Sequence, residues 1–307
     1  MSTINVSNLQ ASGGAGTAAT LASLNGGHLA GMRNRLINSD MRIDQRNAGA
    51  SISSSTGVVT YSVDRWYVYA TGAAVSAQQV TPSLTDINAA LRVIGAASNT
   101  GVSIGQRIER ANSYDLAGQT VTLSFYAASS ASITLTWKIF YAGANNDFST
   151  KTQSNTGTQA TNSTLTKYSA TFTLPSAATT GIAVEFSVSS LTSGSIDITG
   201  VQLEAGSVST PLERRSYGQE LALCQRYYES VSGASISAAR GFQSDVSVRL
   251  NIFMRQTKRA TPTCALSGAS GWSAGPNADT VSVDIIHVSG NSSTEAYLTG
   301  YTATAEL

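Results

Sequence analysis

The stretch Ile133-Thr-Leu-Thr-Trp-Lys-Ile139 alternates apolar and polar residues without a break, and its reading decides the fold. Side chains along a β-strand point to opposite faces in turn, so Ile133, Leu135, Trp137 and Ile139 make the inward edge of a strand. The same period of two runs through Val121-Thr-Leu-Ser-Phe125, Tyr168-Ser-Ala-Thr-Phe-Thr-Leu174 and Ile182-Ala-Val-Glu-Phe-Ser-Val188. Ile196 and Ile198 continue it; the pattern then slips at Thr199-Gly200 and resumes at Val201 and Leu203, which predicts a β-bulge at the glycine. Many short strands separated by turn clusters, from Leu36 to Arg214, predict a jelly-roll β-sandwich in an all-β chain.

Three further segments flank this block. Residues 1–36 are rich in Gly, Ala, Thr and Ser and too poor in apolar residues for a core of their own, so they are expected to be an extended docking arm. The sandwich is placed at 37–214 and a connecting helix at 215–230. Within the latter, Gly218–Glu229 brings Leu221, Cys224 and Tyr228 to one face. The remainder, 231–307, reads as a smaller C-terminal β-domain, with Val246, Val248, Leu250, Ile252 and Met254 alternating along one strand.

Composition excludes several classes of function. The net charge of +1 gives no electrostatic footing for nucleic acid or an anionic membrane. No run of apolar residues reaches the ~18–20 that a membrane helix needs. Met1-Ser-Thr-Ile-Asn5 has no secretory character, so a protein made and kept in the cytosol, or released by lysis, is expected. Cys224 and Cys264 are too few for a disulfide framework or a metal cluster and read as small apolar residues.

Catalytic chemistry finds little footing. His28 and His287 stand near no Ser or Cys nucleophile motif, and no phosphate-cradling loop is present. Glycoside hydrolysis needs two carboxylates roughly 5–9.5 Å apart across a cleft. Asp64, Glu185 and Asp197 are the candidates, and each fits a solvated or turn position equally well. Asp115 and Asp147 read as turn residues. No catalytic residue, cofactor or metal ligand is assigned, and a non-enzymatic protein is expected.

Sugar binding is better served. A sugar packs its C–H face on an aromatic ring while polar side chains take the hydroxyls. In Asp64-Arg-Trp-Tyr-Val-Tyr69, alternation sends Trp66 inward and Tyr67 and Tyr69 outward. Tyr141, followed by Asn145-Asn146-Asp147, and Trp272, in the glycine-rich loop Gly268–Gly275, offer further aromatic and amide groups. The candidate carbohydrate-binding residues are therefore Tyr67, Tyr69, Tyr141, Asn145 and Trp272.

Asn38-Ser-Asp-Met-Arg-Ile-Asp-Gln-Arg46, Val201-Gln-Leu-Glu-Ala-Gly-Ser207, Pro211-Leu-Glu-Arg-Arg215 and Leu221-Ala-Leu-Cys-Gln-Arg-Tyr-Tyr228 stand in a fixed order, with a weaker Arg259-Ala-Thr-Pro-Thr263 behind them. This order resembles bacteriophage tail-fibre and virion appendage proteins whose middle domain looks like a carbohydrate-binding jelly roll. The resemblance covers about residues 34–262. It implies a virion protein made in the host cytoplasm, joined to other virion proteins through its N-terminal arm, homotrimeric, with host surface polysaccharide as its partner. Jelly rolls of this look often carry a structural Ca²⁺. Here Arg42 stands where a ligand would be wanted, and Thr199-Gly200 replaces the expected acidic pair, so no ion is expected. The resemblance leaves two other roles open, a non-adhesive appendage or decoration protein and a polysaccharide-degrading enzyme.

Overall fold

The computed structural model describes residues 32–130, 132–233, 236–237, 247–268, 277–288 and 297–307. Most of the expected docking arm, His28 and Trp272 lie outside the described residues. Twelve strands run from Ile52 to Ala205: β1 (Ile52–Ser53), β2 (Thr60–Tyr61), β3 (Tyr67–Thr71), β4 (Ser76–Val80), β5 (Ala90–Ile94), β6 (Gly101–Ile108), β7 (Thr120–Ser129), β8 (Ile133–Ala144), β9 (Asp147–Thr161), β10 (Thr166–Thr173), β11 (Ile182–Val188) and β12 (Ser195–Ala205). They form two six-stranded antiparallel sheets, a first of order β1-β4-β5-β12-β7-β10 and a second of order β2-β3-β6-β11-β8-β9. This is the sandwich that the period-two segments predicted.

The inward positions fill the space between the sheets. Leu135 and Ile139 of β8, Val184 and Phe186 of β11 and Val121, Leu123 and Phe125 of β7 are all buried in one core cluster. The Phe125 and Phe186 rings meet across it with centroids 4.7 Å apart. Trp137 stacks on Phe172 at 5.3 Å. Gly157 lies opposite Trp137 on β9, where a Cβ would come within 2.4 Å of the indole, so only glycine admits the ring. The bulge falls where the pattern slips: pairing of β12 with β7 shifts between Thr199 and Gln202, and Gly200 takes φ +57°.

The sequence motifs converge on two polar junctions. In the first, the Asn38 side chain accepts from Ile43 N–H (3.0 Å) and donates to the carbonyls of Ile43 (2.8 Å) and Asp64 (2.9 Å). Asp64 accepts in turn from the backbone and side chain of Gln45 at 3.1 and 2.5 Å. Asp64 was expected at a solvated or turn position; it does sit in the turn before β3, closed by Trp66 N–H donating to Val63 O at 3.0 Å, but it is fully buried there, because the Asn38–Gln45 segment folds down over it. In the second, Gln202 and Glu204 leave β12 on the outer face of the first sheet and hold the returning segment. Glu204 accepts from Thr210 N–H (2.9 Å) and Oγ1 (2.6 Å), and Gln202 Oε1 accepts from Glu213 N–H at 2.8 Å. The conspicuous Gln and Glu of Val201–Ser207 are thus the pins of a buried clasp.

The helix, α1, spans Tyr217–Gln225 and is shorter than the expected Gly218–Glu229. Ser216 caps it in a reciprocal box with Gln219. It stops because the next residues change conformation: Tyr228–Val231 is a strand, β13, paired to a strand at Gly300–Thr304. Cys224 and Tyr227 bury themselves against Ile37 and Ile43 beneath the sandwich. After β13 come β14 (Ile236–Ser237), β15 (Ser247–Phe253), β16 (Thr263–Ser267), β17 (Asn277–Ala278), β18 (Ser282–Val288), β19 (Tyr297–Leu298) and β20 (Gly300–Thr304). β13, β20 and β16 form a three-stranded sheet, as do β15, β18 and β17. Of the five residues expected to face inward along β15, Ile252 and Met254 pack with Tyr301 and Ala303, while Val246 lies outside the described residues.

Candidate functional site

The outer face of the second sheet follows directly from the alternation that builds the core. Between the inward Val68, Ile104, Val184, Phe186 and Leu135, the strands turn Tyr67 and Tyr69 of β3, Ser103 and Gly105 of β6, Glu185 and Ser187 of β11 and Thr136 and Lys138 of β8 outward. Pairing registers set these side chains in rows across the sheet. One row runs Tyr69, Ser103, Ser187, Thr136 and Thr158; its neighbour runs Tyr67, Gly105, Glu185, Lys138 and Thr156.

The second of these rows is largely closed. Tyr67 is only 2 % exposed, which overturns its assignment as an open sugar platform. Its ring lies across Gly105, where a Cβ would stand 2.6 Å from the phenol oxygen. The hydroxyl donates to Glu185 at 2.5 Å. Burial, with Glu185 adding to it, pushes that hydroxyl well above its usual pKa, so it stays protonated and donating. The Arg107 guanidinium sits 5.3 Å from the ring, and Tyr61 meets it edge-on at 6.0 Å. Arg107 and Tyr61 both donate to the main-chain oxygen of Leu307, and the Leu307 side chain packs beside Phe140 and Phe148. Lys151 pairs with Glu185 while lying 4.2 Å from the centre of the Phe140 ring.

The first row is open. Tyr69, Ser103, Ser187 and Thr136 are half-buried and Thr158 is exposed. Five hydroxyls therefore stand across five adjacent strands, about 4.8 Å apart from one strand to the next, with an aromatic ring at one end. Lys138 borders the row on one side. The arrangement offers donors and acceptors at regular spacing across the sheet.

The other expected site residues do not join it. Tyr141 packs against the core from within, because the alternation through Leu135, Trp137 and Ile139 carries on and sends residue 141 inward. Asn145 is exposed at the tip of the β8–β9 turn, nine residues along β8 from Thr136 and so about 30 Å from the row. Only Tyr69 of the expected set stands free on this face. Ser103, Ser187, Thr136 and Thr158 were missed, although the polar positions of the same alternating strands mark them. Glu185 and Asp197, expected to be solvated or in turns, are largely buried: Glu185 is held by Tyr67 and Lys151, Asp197 by two bonds from Arg92 at 2.8 and 2.7 Å.

No protein-family model and no curated protein sequence matches the chain. Among solved structures, the chain is similar to the carbohydrate-binding module CBM4, at 16 % identity and a TM-score of 0.38 over 55 % of this chain and 97 % of that one. It is similar to the family 11 carbohydrate-binding module of Clostridium thermocellum, solved with a β-1,3-1,4-mixed-linked tetrasaccharide, at 11 % identity and a TM-score of 0.35 over 52 % of this chain and 98 % of that one. A third similar structure is the enzymatically active domain of tailspike protein 4 of bacteriophage CBA120, at 17 % identity and a TM-score of 0.36 over 56 % of this chain and 21 % of that one. The matched region thus spans about a fifth of that tailspike domain, and at these identities and superpositions the likenesses assign no ligand and no residue to this chain.

Proposed function

We propose that the chain is a non-enzymatic carbohydrate-binding protein that holds an extended glycan on the outer face of its second sheet. The observation that carries this reading is the open row Tyr69–Ser103–Ser187–Thr136–Thr158. A polyol laid across the strands meets a hydroxyl on each of five strands and an aromatic ring at the end. The motif order of the sequence supports placing this binder on a phage tail fibre or other virion appendage, with host surface polysaccharide as the glycan and a homotrimer as the assembly. Weak binding at one flat face suits that role, since linked copies raise avidity by ~10²–10⁴ without any new contact.

The three candidate acids give a hydrolase little support, and Asp64 is fully buried. Glu185 and Asp197 stand on the outer faces of opposite sheets, and stacked sheets are themselves about 10 Å apart. They cannot flank one glycosidic bond. A non-adhesive appendage is the second reading, and the closure of Tyr67 and inward turn of Tyr141 favour it by leaving Tyr69 as the one expected aromatic open on the face among the described residues.

The test is binding of the full chain to immobilised bacterial surface polysaccharides, with Ser187→Arg placing a long cation in the middle of the row. Saturable binding lost in Ser187→Arg is the expected result. Binding that Ser187→Arg leaves intact removes this face from the function, and no binding to any polysaccharide favours the appendage reading.

A further inference from the structure

The clasp described above does more than close the sandwich, because it raises a wall beside the first sheet. After β12 the chain turns back over the outer face of that sheet: Gly206 N–H donates to Thr120 O at 2.9 Å, Thr171 Oγ1 donates to Ser207 O at 3.2 Å, and Lys167 Nζ donates to Thr210 O at 3.3 Å. Ser209, Pro211 and Leu212 are thereby held over a cleft of about 320 Å³ whose floor is Ser124, Tyr126, Lys167 and Gly200, with Asp86 and Ile87 at its end. That volume lies at the small end of the ~300–1,000 Å³ typical of small-molecule pockets.

The floor is shaped by the bulge. Tyr126 is registered between Thr199 of β12 and Lys167 of β10 and points outward, opposite to the core-facing Phe125. A Cβ at Gly200 would lie 2.9 Å from both Tyr126 Cδ2 and Ile87 Cδ1, so the glycine lets the phenol ring rest on the bulge as a flat surface. The Ser209 Oγ is buried and has no hydrogen-bond partner among the described residues. A buried hydroxyl without a partner bears an uncompensated loss of water, which a turn of the Ser209 side chain onto a ligand hydroxyl in the cleft would relieve. Among the described residues Lys167 bonds only Thr210, which leaves two of its three ammonium protons for a ligand. Among the described residues Asp86 is held only by a loose 3.9 Å pair with Arg214, both of them exposed, and can accept from a ligand.

We propose that this cleft is a second carbohydrate site, a pocket for a single neutral sugar ring, on the sheet opposite the hydroxyl row. The ring's C–H face lies on Tyr126, and its hydroxyls bond Ser209, Lys167 and Asp86. A row across five strands suits the length of a chain, while a cleft with one aromatic ring in its floor suits one residue, such as a branch or a chain end. The two sites use different sheets and share no residue, so each stands or falls without the other.

Saturation-transfer NMR on the full chain with the methyl glycosides of glucose, galactose and N-acetylglucosamine tests this, with thermal melts to verify that each variant folds. The expected result is binding of at least one glycoside, weakened about tenfold by Tyr126→Ala and also by Ser209→Ala, and unchanged by Ser187→Arg. Ser209→Ala removes a hydroxyl that bonds nothing among the described residues, so a purely structural role predicts no loss of binding from it. Binding lost in Ser187→Arg and kept in Tyr126→Ala and Ser209→Ala would overturn the pocket while leaving the row standing. Binding of none of the three glycosides by the wild-type chain would also overturn it.

Discussion

The indole Nε1 of Trp66 donates to the main-chain oxygen of Asn38 at 2.9 Å. That bond joins two of the segments that stand out in the sequence, and it explains why they occur together. Asn38 sits at φ +52°, a left-handed conformation that asparagine tolerates better than most residues. From there it satisfies the backbone of Ile43 and Asp64, while its own N–H donates to Glu220 of the helix at 2.5 Å. One side chain therefore locks the start of the sandwich, and its backbone ties that start to α1.

Asn38→Ala removes three side-chain hydrogen bonds, strands buried backbone groups of Ile43 and Asp64, and puts a less tolerant residue at positive φ. A loss of about 2–4 kcal/mol in urea unfolding is expected. A loss under about 1 kcal/mol would show that the junction reorganises around the gap.

Asp64 gives the fold a pH dependence of unusual sign. Burial pushes its carboxyl up to about 7 against an ordinary 3.8, with the bonds from Gln45 opposing that shift only in part. Between those values the native state holds a proton that the unfolded chain has released. The Asp64 contribution is therefore fully present below about pH 4 and is lost as pH rises through 7. Urea midpoints measured across that window should carry a downward component with rising pH that Asp64→Asn flattens. An unchanged slope in Asp64→Asn would assign the dependence to other groups.

Lys258 and Glu229 form an ion pair at 2.7 Å with both side chains fully buried. Glu229 also accepts from Tyr301 Oη at 2.6 Å and from Arg255 N–H at 3.1 Å, and Lys258 donates to Gln225 O at 2.5 Å. Burial holds the Lys258 ammonium below its usual pKa although Glu229 draws it up. Lys258→Met leaves a buried carboxylate without its cation and should cost about 3–5 kcal/mol. The double variant Lys258→Met/Glu229→Gln should recover part of that loss, because the uncompensated charge is gone. Equal losses in the single and double variants would argue that packing, and not charge, sets the cost.

The sandwich was legible in the sequence because its signal is local. Val121–Phe125, Ile133–Ile139 and Ile182–Val188 each declare their inner face within seven residues, and Gly200 marks the bulge within two. The site was legible only in part because its access is set by distant chain. Alternation put Tyr67 on the outer face correctly, but Arg107, 40 residues away, lies over its ring and is itself held by the main-chain oxygen of Leu307, 240 residues away. The turn at Asp64 was readable but its burial was not, for the same reason, since Gln45 reaches it from a separate segment. The end of α1 was overrun because Tyr228 keeps the helical spacing yet belongs to a strand fixed by β20, seventy residues further on.

Neighbouring tyrosines on β3 should separate structure from binding. Tyr67→Phe deletes the hydroxyl bonded to Glu185 while keeping the ring over Gly105. A hydrogen bond to a charged acceptor contributes about 1.5–3 kcal/mol, and Lys151 remains to hold Glu185, so a loss near the lower figure is expected with glycan binding unchanged. Tyr69→Ala empties a half-exposed position at the end of the open row. It should change stability by less than about 1 kcal/mol and weaken binding to the immobilised polysaccharide by about tenfold. The crossed outcome, binding lost with Tyr67→Phe and kept with Tyr69→Ala, would mean that the glycan displaces Arg107 or Tyr61 and enters the closed row instead.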